Sequence, residues 1–221
     1  MLFKINGERN SGTNFLYKLL QANHFPVYDQ ELKNKICYYW KHGIPDPAVK
    51  KLSNRVVDIF IFRNINSWLK STWKNPYHLK PIRNYKDFLT SKQMSITPNI
   101  YDHKTCQPVN IDDDHKTIFQ IRYYKFNKIL EYKDNNKDVI FVNLDYLQNS
   151  HNAHNFIQTL NDTYIHNSHL NIVSEITKHT KDKSDQKNRI IDTDTNCTNI
   201  INTYTDHKIE SFINTLTFYT F

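Results

Sequence analysis

Glycine is almost missing from this chain, with 3 in 221 residues where about 7% is ordinary usage. Left-handed turns and close backbone approaches are therefore rationed, because glycine is the residue that supplies them at least cost. Cysteine is also scarce. Cys37, Cys106 and Cys197 are widely spaced and no C-x-x-C occurs, which excludes the usual zinc-ligand spacing and a disulfide framework. There is no apolar run of 18 or more residues and no basic-plus-apolar leader, so neither a membrane helix nor a secretory signal is expected. These absences predict a soluble, cytoplasmic protein with reduced thiols, in which the sequons at Asn161 and Asn196 go unused. Acidic excess is lacking too: the net charge is +7 and the pI about 9.1, a balance suited to an anionic ligand and also compatible with nucleic acid. No internal repeat is apparent, and Asn-rich patches are the only low-complexity feature.

Two of the three glycines fall in one stretch, Gly7 to Leu20, GERNSGTNFLYKLL. Leu2–Asn6 before it reads as a short strand, and Phe15, Leu16, Leu19 and Leu20 after it recur at helical spacing. A helix start offers unbonded N–H groups and the positive end of a dipole, which attract phosphate or sulfate. Gly7 and Gly12 have the G-x-x-x-x-G spacing of a P-loop, but Thr13 stands where the P-loop lysine belongs. An ordinary strand-to-helix turn is compatible with the same spacing.

At 26.5 kDa the chain is long enough for one domain with a large core, 1–221. Hydrophobic residues are 38% and aromatics 14%, so Phe and Tyr must supply much of the burial. Phe25–Asp29 reads as a turn or short strand and Lys35–Lys41, KICYYWK, as a β-rich strand ending in His42-Gly43. A short helix is expected over Asp46–Leu52. Val56–Phe62, VVDIFIF, is the pattern of a strand covered on both faces, hence parallel and central. A helix over Asn64–Trp73 follows. Residues 76–114 hold four prolines and read as a lid or acceptor loop, with a short helix at Tyr85–Thr90. Asp112–Asp114 are expected to cap a helix over His115–Tyr132, with Ile118, Ile121, Tyr124, Ile129 and Leu130 on its apolar face. VIFV within Lys137–Asn143 is a further strand, followed by a helix near Asn152–Leu160. Residues 161–205 look irregular, with a solvated charged run at Lys178–Arg189. Asp206–Phe221 reads as an amphipathic helix with Ile209, Phe212, Ile213 and Leu216 inward. The fold class is α/β.

Ligands of open α/β sheets bind beyond the carboxyl ends of the strands. Arg63 stands at such an end, and Ser67 and Ser71 share one face of the following helix. A guanidinium fork with hydroxyls beside it suits a phosphate.

GERNSGTNFLYKLL resembles the 5′-phosphosulfate loop of sulfotransferases. IFRNINSWLKS at Ile61–Ser71 resembles their 3′-phosphate segment, and RYYKFNKILEYKDNNKDVIFVNLDYL at Arg122–Leu147 is similar to their helix, strand and Tyr-Glu-Asp-Leu turn. The matches keep the family's order and span roughly residues 1–160. The resemblance implies a single α/β domain of P-loop NTPase-like topology, a central parallel sheet flanked by helices. It implies 3′-phosphoadenosine 5′-phosphosulfate (PAPS) as donor, no metal, and transfer to a hydroxyl or amine of a carbohydrate, a protein tyrosine or a small molecule, with no nucleic-acid or membrane partner. By position, Arg9, Asn10, Ser11, Gly12, Thr13 and Asn14 would hold the 5′-phosphosulfate, Arg63 and Ser71 the 3′-phosphate, and Phe15 would pack on adenine. Lys41-His42 resembles the family's Lys-x-His element shortened by one residue, which makes His42 the implied base.

Cytosolic members carry a lysine just before Ser-Gly-Thr. Here that residue is Asn10, and Arg9 or Lys41 could substitute as the cation at the transferring group. Leu144 replaces the tyrosine of the Tyr-Glu-Asp-Leu turn. The family's C-terminal Arg-Lys-Gly loop is absent, with Lys178–Arg189 the nearest basic run. The chemistry agrees with such a site: group transfer of this kind needs charge held on oxygens and a nucleophile placed in line, with a histidine suited to take the proton. Two other classes compete. A P-loop kinase or NTPase would want a lysine at position 13 and a magnesium-holding acid at a strand end. A basic nucleic-acid-binding protein would want a clustered basic face.

Overall fold

The computed structural model describes residues 1–28, 42–43, 56–75, 82, 84–92, 100–101, 108–109, 117–176 and 195–220. In chain order the elements are β1 (Leu2–Gly7), α1 (Thr13–Ala22), β2 (Val56–Phe62), α2 (Ile65–Lys74), α3 (Tyr85–Thr90), β3 (Ile100–Tyr101), β4 (Pro108–Val109), α4 (Ile118–Asn135), β5 (Val139–Asn143), α5 (Leu144–Leu147), α6 (Ser150–Leu160), a π-helical turn (Asn161–Ile165), α7 (Thr195–Tyr204), α8 (His207–Thr215) and β6 (Phe218–Thr220). The protein is a mixed α/β structure around a sheet of order β1-β2-β5-β6. β1, β2 and β5 are mutually parallel, and β6 closes the far edge antiparallel to β5. On the other edge Val27 makes an isolated parallel bridge to Phe3.

The strand that is apolar but for Asp58 is central, as its composition predicts: every residue of Val56–Phe62 is buried. Period-two alternation gives the sheet two chemically different faces. Val57, Ile59 and Ile61 of β2 join Ile140 and Val142 of β5 in an aliphatic layer under α1 and α6. Phe60, Phe62 and Phe141 face the other way, against α4 and α8, with edge-on ring contacts at 5.8 and 5.5 Å. Asp58 is buried within β2 and accepts from Asn6 Nδ2 at 3.1 Å and Tyr132 Oη at 2.9 Å. A second core joins α2, α3, the start of α4 and Cys197 of α7.

Several expectations are corrected. α4 starts at Ile118, not His115, because Thr117 and Gln120 form a reciprocal capping box there. It runs on to Asn135. Residues 161–205 are not wholly irregular: they include the π-helical turn and α7. The chain end is not one helix. α8, capped by Asp206, stops at Thr215, and Phe218–Thr220 pairs with β5. The expected strand at 35–41, the helix at 46–52, Asp112–Asp114, most of the 76–114 loop and the run 178–189 lie outside the described residues. Among the described residues no helix is long and apolar enough to cross a membrane.

Candidate active site

The turn between β1 and α1 is built by its two glycines for reasons that are visible locally. A Cβ on Gly7 would stand 2.5 Å from Ser11 Oγ and 2.6 Å from the Ile61 carbonyl oxygen, so β2 can lie close only to a glycine. Asn10 and Gly12 both take left-handed backbone, with φ of 63° and 104°. Turns with left-handed residues interleaved form concavities lined by N–H groups. Gly12 is the N-cap of α1 and no side chain caps that helix start, whereas α2, α4 and α8 are capped by Asn64, Thr117 and Asp206. Ser11 donates both its N–H, at 3.2 Å, and its hydroxyl, at 2.7 Å, to the Glu8 carbonyl. It therefore shapes the turn from inside.

Gly12→Ala is expected to destabilise the fold by roughly 1–3 kcal/mol. An L-residue is strained at this φ, and the new methyl would lie 2.6 Å from Leu144 Cδ1. Thermal melts of Gly12→Ala, Leu144→Ala and the double variant check this, with partial recovery expected in the double.

Three contacts fasten the turn to α2. Asn10 Nδ2 donates to Thr72 Oγ1 at 3.4 Å and to the Asn75 carbonyl at 3.3 Å. Trp68 Nε1 donates to the Arg9 carbonyl at 2.8 Å. Beneath them lies a buried charge centre. Arg122 donates to Glu8 Oε2, to Glu210 Oε1 at 2.8 Å and Oε2 at 3.2 Å, and to the Arg63 carbonyl at 2.7 Å. Its guanidinium sits 4.7 Å from the centre of the Trp68 ring. Burial pushes the Glu8 carboxyl above the usual range, against the pull of Arg122 and Lys125. For Arg122 burial works downward, but Glu8 and Glu210 outweigh it and hold the guanidinium firmly charged.

Two residues far apart in sequence reach the turn. Arg63, just past β2, donates from a terminal nitrogen to the Asn10 carbonyl at 3.4 Å. Its Nε is buried with no hydrogen-bond partner among the described residues. Burial lowers its pKa, and nearby Asp145 opposes that shift. Asp145 itself accepts from Asn64 Nδ2 at 2.5 Å. His42 places Nδ1 3.0 Å from the Gly7 carbonyl. From α4, Lys125 Nζ donates to the His42 carbonyl at 2.5 Å and to the Gly7 carbonyl at 3.4 Å. Burial drives the Lys125 ammonium down to about 8, with Glu8 resisting and Arg9 assisting.

Of the residues singled out from sequence, Arg9 to Phe15, His42 and Arg63 thus belong to one neighbourhood. Thr13 is buried and Asn14 exposed, while Phe15 packs at the border of the aliphatic core. Ser71 is half-buried on α2, next to the Thr72 that Asn10 contacts. Lys41 lies outside the described residues. Glu8, Arg122, Lys125 and Glu210 escape sequence reading. Their one local signal is that Arg122 and Lys125 stand at core positions of α4, about one and two turns on from Ile118. Among the described residues no group of three or more His, Cys, Asp or Glu side chains is assembled as for a metal.

No family model, curated protein or solved structure matches this chain.

Proposed function

We propose that this chain is a sulfotransferase, a single P-loop-like domain that moves the sulfuryl group of 3′-phosphoadenosine 5′-phosphosulfate to an acceptor hydroxyl or amine. The observation that carries the reading is convergence. A glycine-bounded turn with an uncapped helix start, an arginine from the end of the neighbouring strand and a histidine from a third segment meet within hydrogen-bond distance.

In this reading the N–H groups at the start of α1, on Gly12, Thr13 and Asn14, hold the 5′-phosphosulfate, with Arg9 or Lys41 as the cation beside it. Asn10 and Ser11 keep the turn in shape through their contacts to α2 and Glu8. Arg63, with Ser71, takes the 3′-phosphate, and Phe15 packs on the adenine. The acceptor oxygen attacks sulfur, and the bond from sulfur to the bridging oxygen of the donor breaks. The electron pair leaves with adenosine 3′,5′-bisphosphate, and the acceptor proton passes to His42 Nε2. Fixed N–H donors and cations aimed at that leaving charge are the largest contribution such a site makes.

Thermal shift tests the donor. Adenosine 3′,5′-bisphosphate at 100 times its Kd is expected to stabilise the fold by about 2.7 kcal/mol, a rise of several degrees in Tm. Arg63→Ala should weaken this ligand by about 1.5–3 kcal/mol while leaving adenosine 5′-phosphosulfate, which lacks the 3′-phosphate, nearly unaffected. A clear shift with ATP and magnesium but none with millimolar bisphosphate overturns the reading.

A further inference from the structure

We propose that Lys125 is the positioning residue for His42: it seats the histidine on the β1 turn and so holds its imidazole in the Nδ1–H form. The inference rests on the reading of His42 as the base, and it concerns how that base is made ready.

The geometry is a closed triangle around one carbonyl. Gly7 O receives His42 Nδ1 at 3.0 Å and Lys125 Nζ at 3.4 Å, and the same ammonium reaches the His42 carbonyl at 2.5 Å. Lys125 therefore grips the histidine by its backbone while sharing the acceptor of its side chain. A carbonyl only accepts, so Nδ1 must carry the proton in this contact, and the lone pair is left on Nε2. Which imidazole nitrogen is protonated is set by the bond the other one makes. A base that takes a proton through Nε2 must be in this form before the acceptor arrives.

Lys125 is costly where it stands, which argues that it is not filler. It is 3% exposed, on the core side of α4. A buried ammonium carries a desolvation penalty of several kcal/mol, and a methionine would fill the same path without it. The charges that face it are Glu8 and Arg9 from the turn, and Glu8 is in turn held by Arg122 and opposed by Glu210. The carboxylate of Glu8 offsets part of the penalty, and the two carbonyls use the ammonium protons. What the lysine secures with those protons is the single segment that carries His42.

Nitrogen-15 spectra of the histidine rings in the full-length chain at neutral pH test this, with His42→Gln used to assign the His42 signals. Wild type is expected to show the Nδ1–H form at His42. Lys125→Met should convert those signals to an average of the two tautomers, while Lys125→Gln, which keeps an N–H donor one bond shorter, should retain more of the Nδ1–H form than Lys125→Met. Turnover of Lys125→Met should fall about tenfold, less than for loss of the imidazole itself, with KM for the donor held within a few-fold. A wild-type His42 found as Nε2–H or already averaged overturns the proposal without any variant having to fold. So does an unaltered Nδ1–H signal in Lys125→Met. If adenosine 3′,5′-bisphosphate fails to bind, the sulfotransferase reading falls, and the ring spectra still decide what Lys125 does.

Discussion

Arg122→Met should cost the fold on the order of 3–5 kcal/mol, the usual result of breaking a buried ion pair by removing one partner. For a chain of this size that is a fall of about 6–20 °C in Tm. The reason is not the lost attraction alone. Glu8 and Glu210 are each less than 5% exposed, so the substitution leaves two buried carboxylates with Lys125, beside Glu8, as the remaining opposing charge. It also removes the donor to the Arg63 carbonyl and the charge over the Trp68 ring. Adding Glu8→Gln and Glu210→Gln should recover much of the loss, because neutral amides remove the repulsion. Urea unfolding of the single and triple variants checks both statements. A loss below about 1 kcal/mol in the single variant would mean that water reaches the carboxylates, and the charge centre would not be the structural link described above.

His42→Ala should lower turnover by about 10²-fold or more, the scale of a general base. Affinity for adenosine 3′,5′-bisphosphate should stay near wild type, since the proposed role of His42 lies with the acceptor and not with the nucleotide. The measurement is turnover at saturating acceptor, with bisphosphate affinity and a melting curve on the same preparation. Near-normal turnover in a normally folded variant assigns the proton to another group, and His78, His103 and His115 would be the next substitutions.

What could be read from sequence was what short-range pattern specifies. The seven-residue run, apolar but for Asp58, marked β2 by its bounds and its central place. Asn64 and Asn84, each accepting from a backbone N–H three residues on, mark the starts of α2 and α3. The glycine economy pointed to the turn, although part of the need for glycine is internal packing against Ile61 and Leu144. Three acids in a row looked like the cap of α4, but the Thr117–Gln120 box lies nearer the helix and satisfies two donors at once. α7, TNCTNIINTY, is too polar to show a strong apolar stripe, and only Cys197 is buried. Its order comes from packing on α2, α3 and α4. The meeting of the β1 turn with Arg63 was legible because loop and strand-end signals are local. The charge centre was not, since Arg122 meets partners 114 and 88 residues away and no periodicity encodes such a pairing.

The position of that charge centre also bears on how the chain is made. Along the four-stranded sheet the strand order is the chain order, so a nascent polypeptide can add each strand to the one before it. Glu8 leaves the ribosome well before its cation, which follows at 122, and before the second carboxylate, at 210. At roughly 5–20 residues per second the interval from Glu8 to Glu210 is on the order of 10–40 s. Until Arg122 arrives, Glu8 is better left hydrated than buried alone. The turn after β1, translated before the partners of Glu8, is thus among the last parts to close.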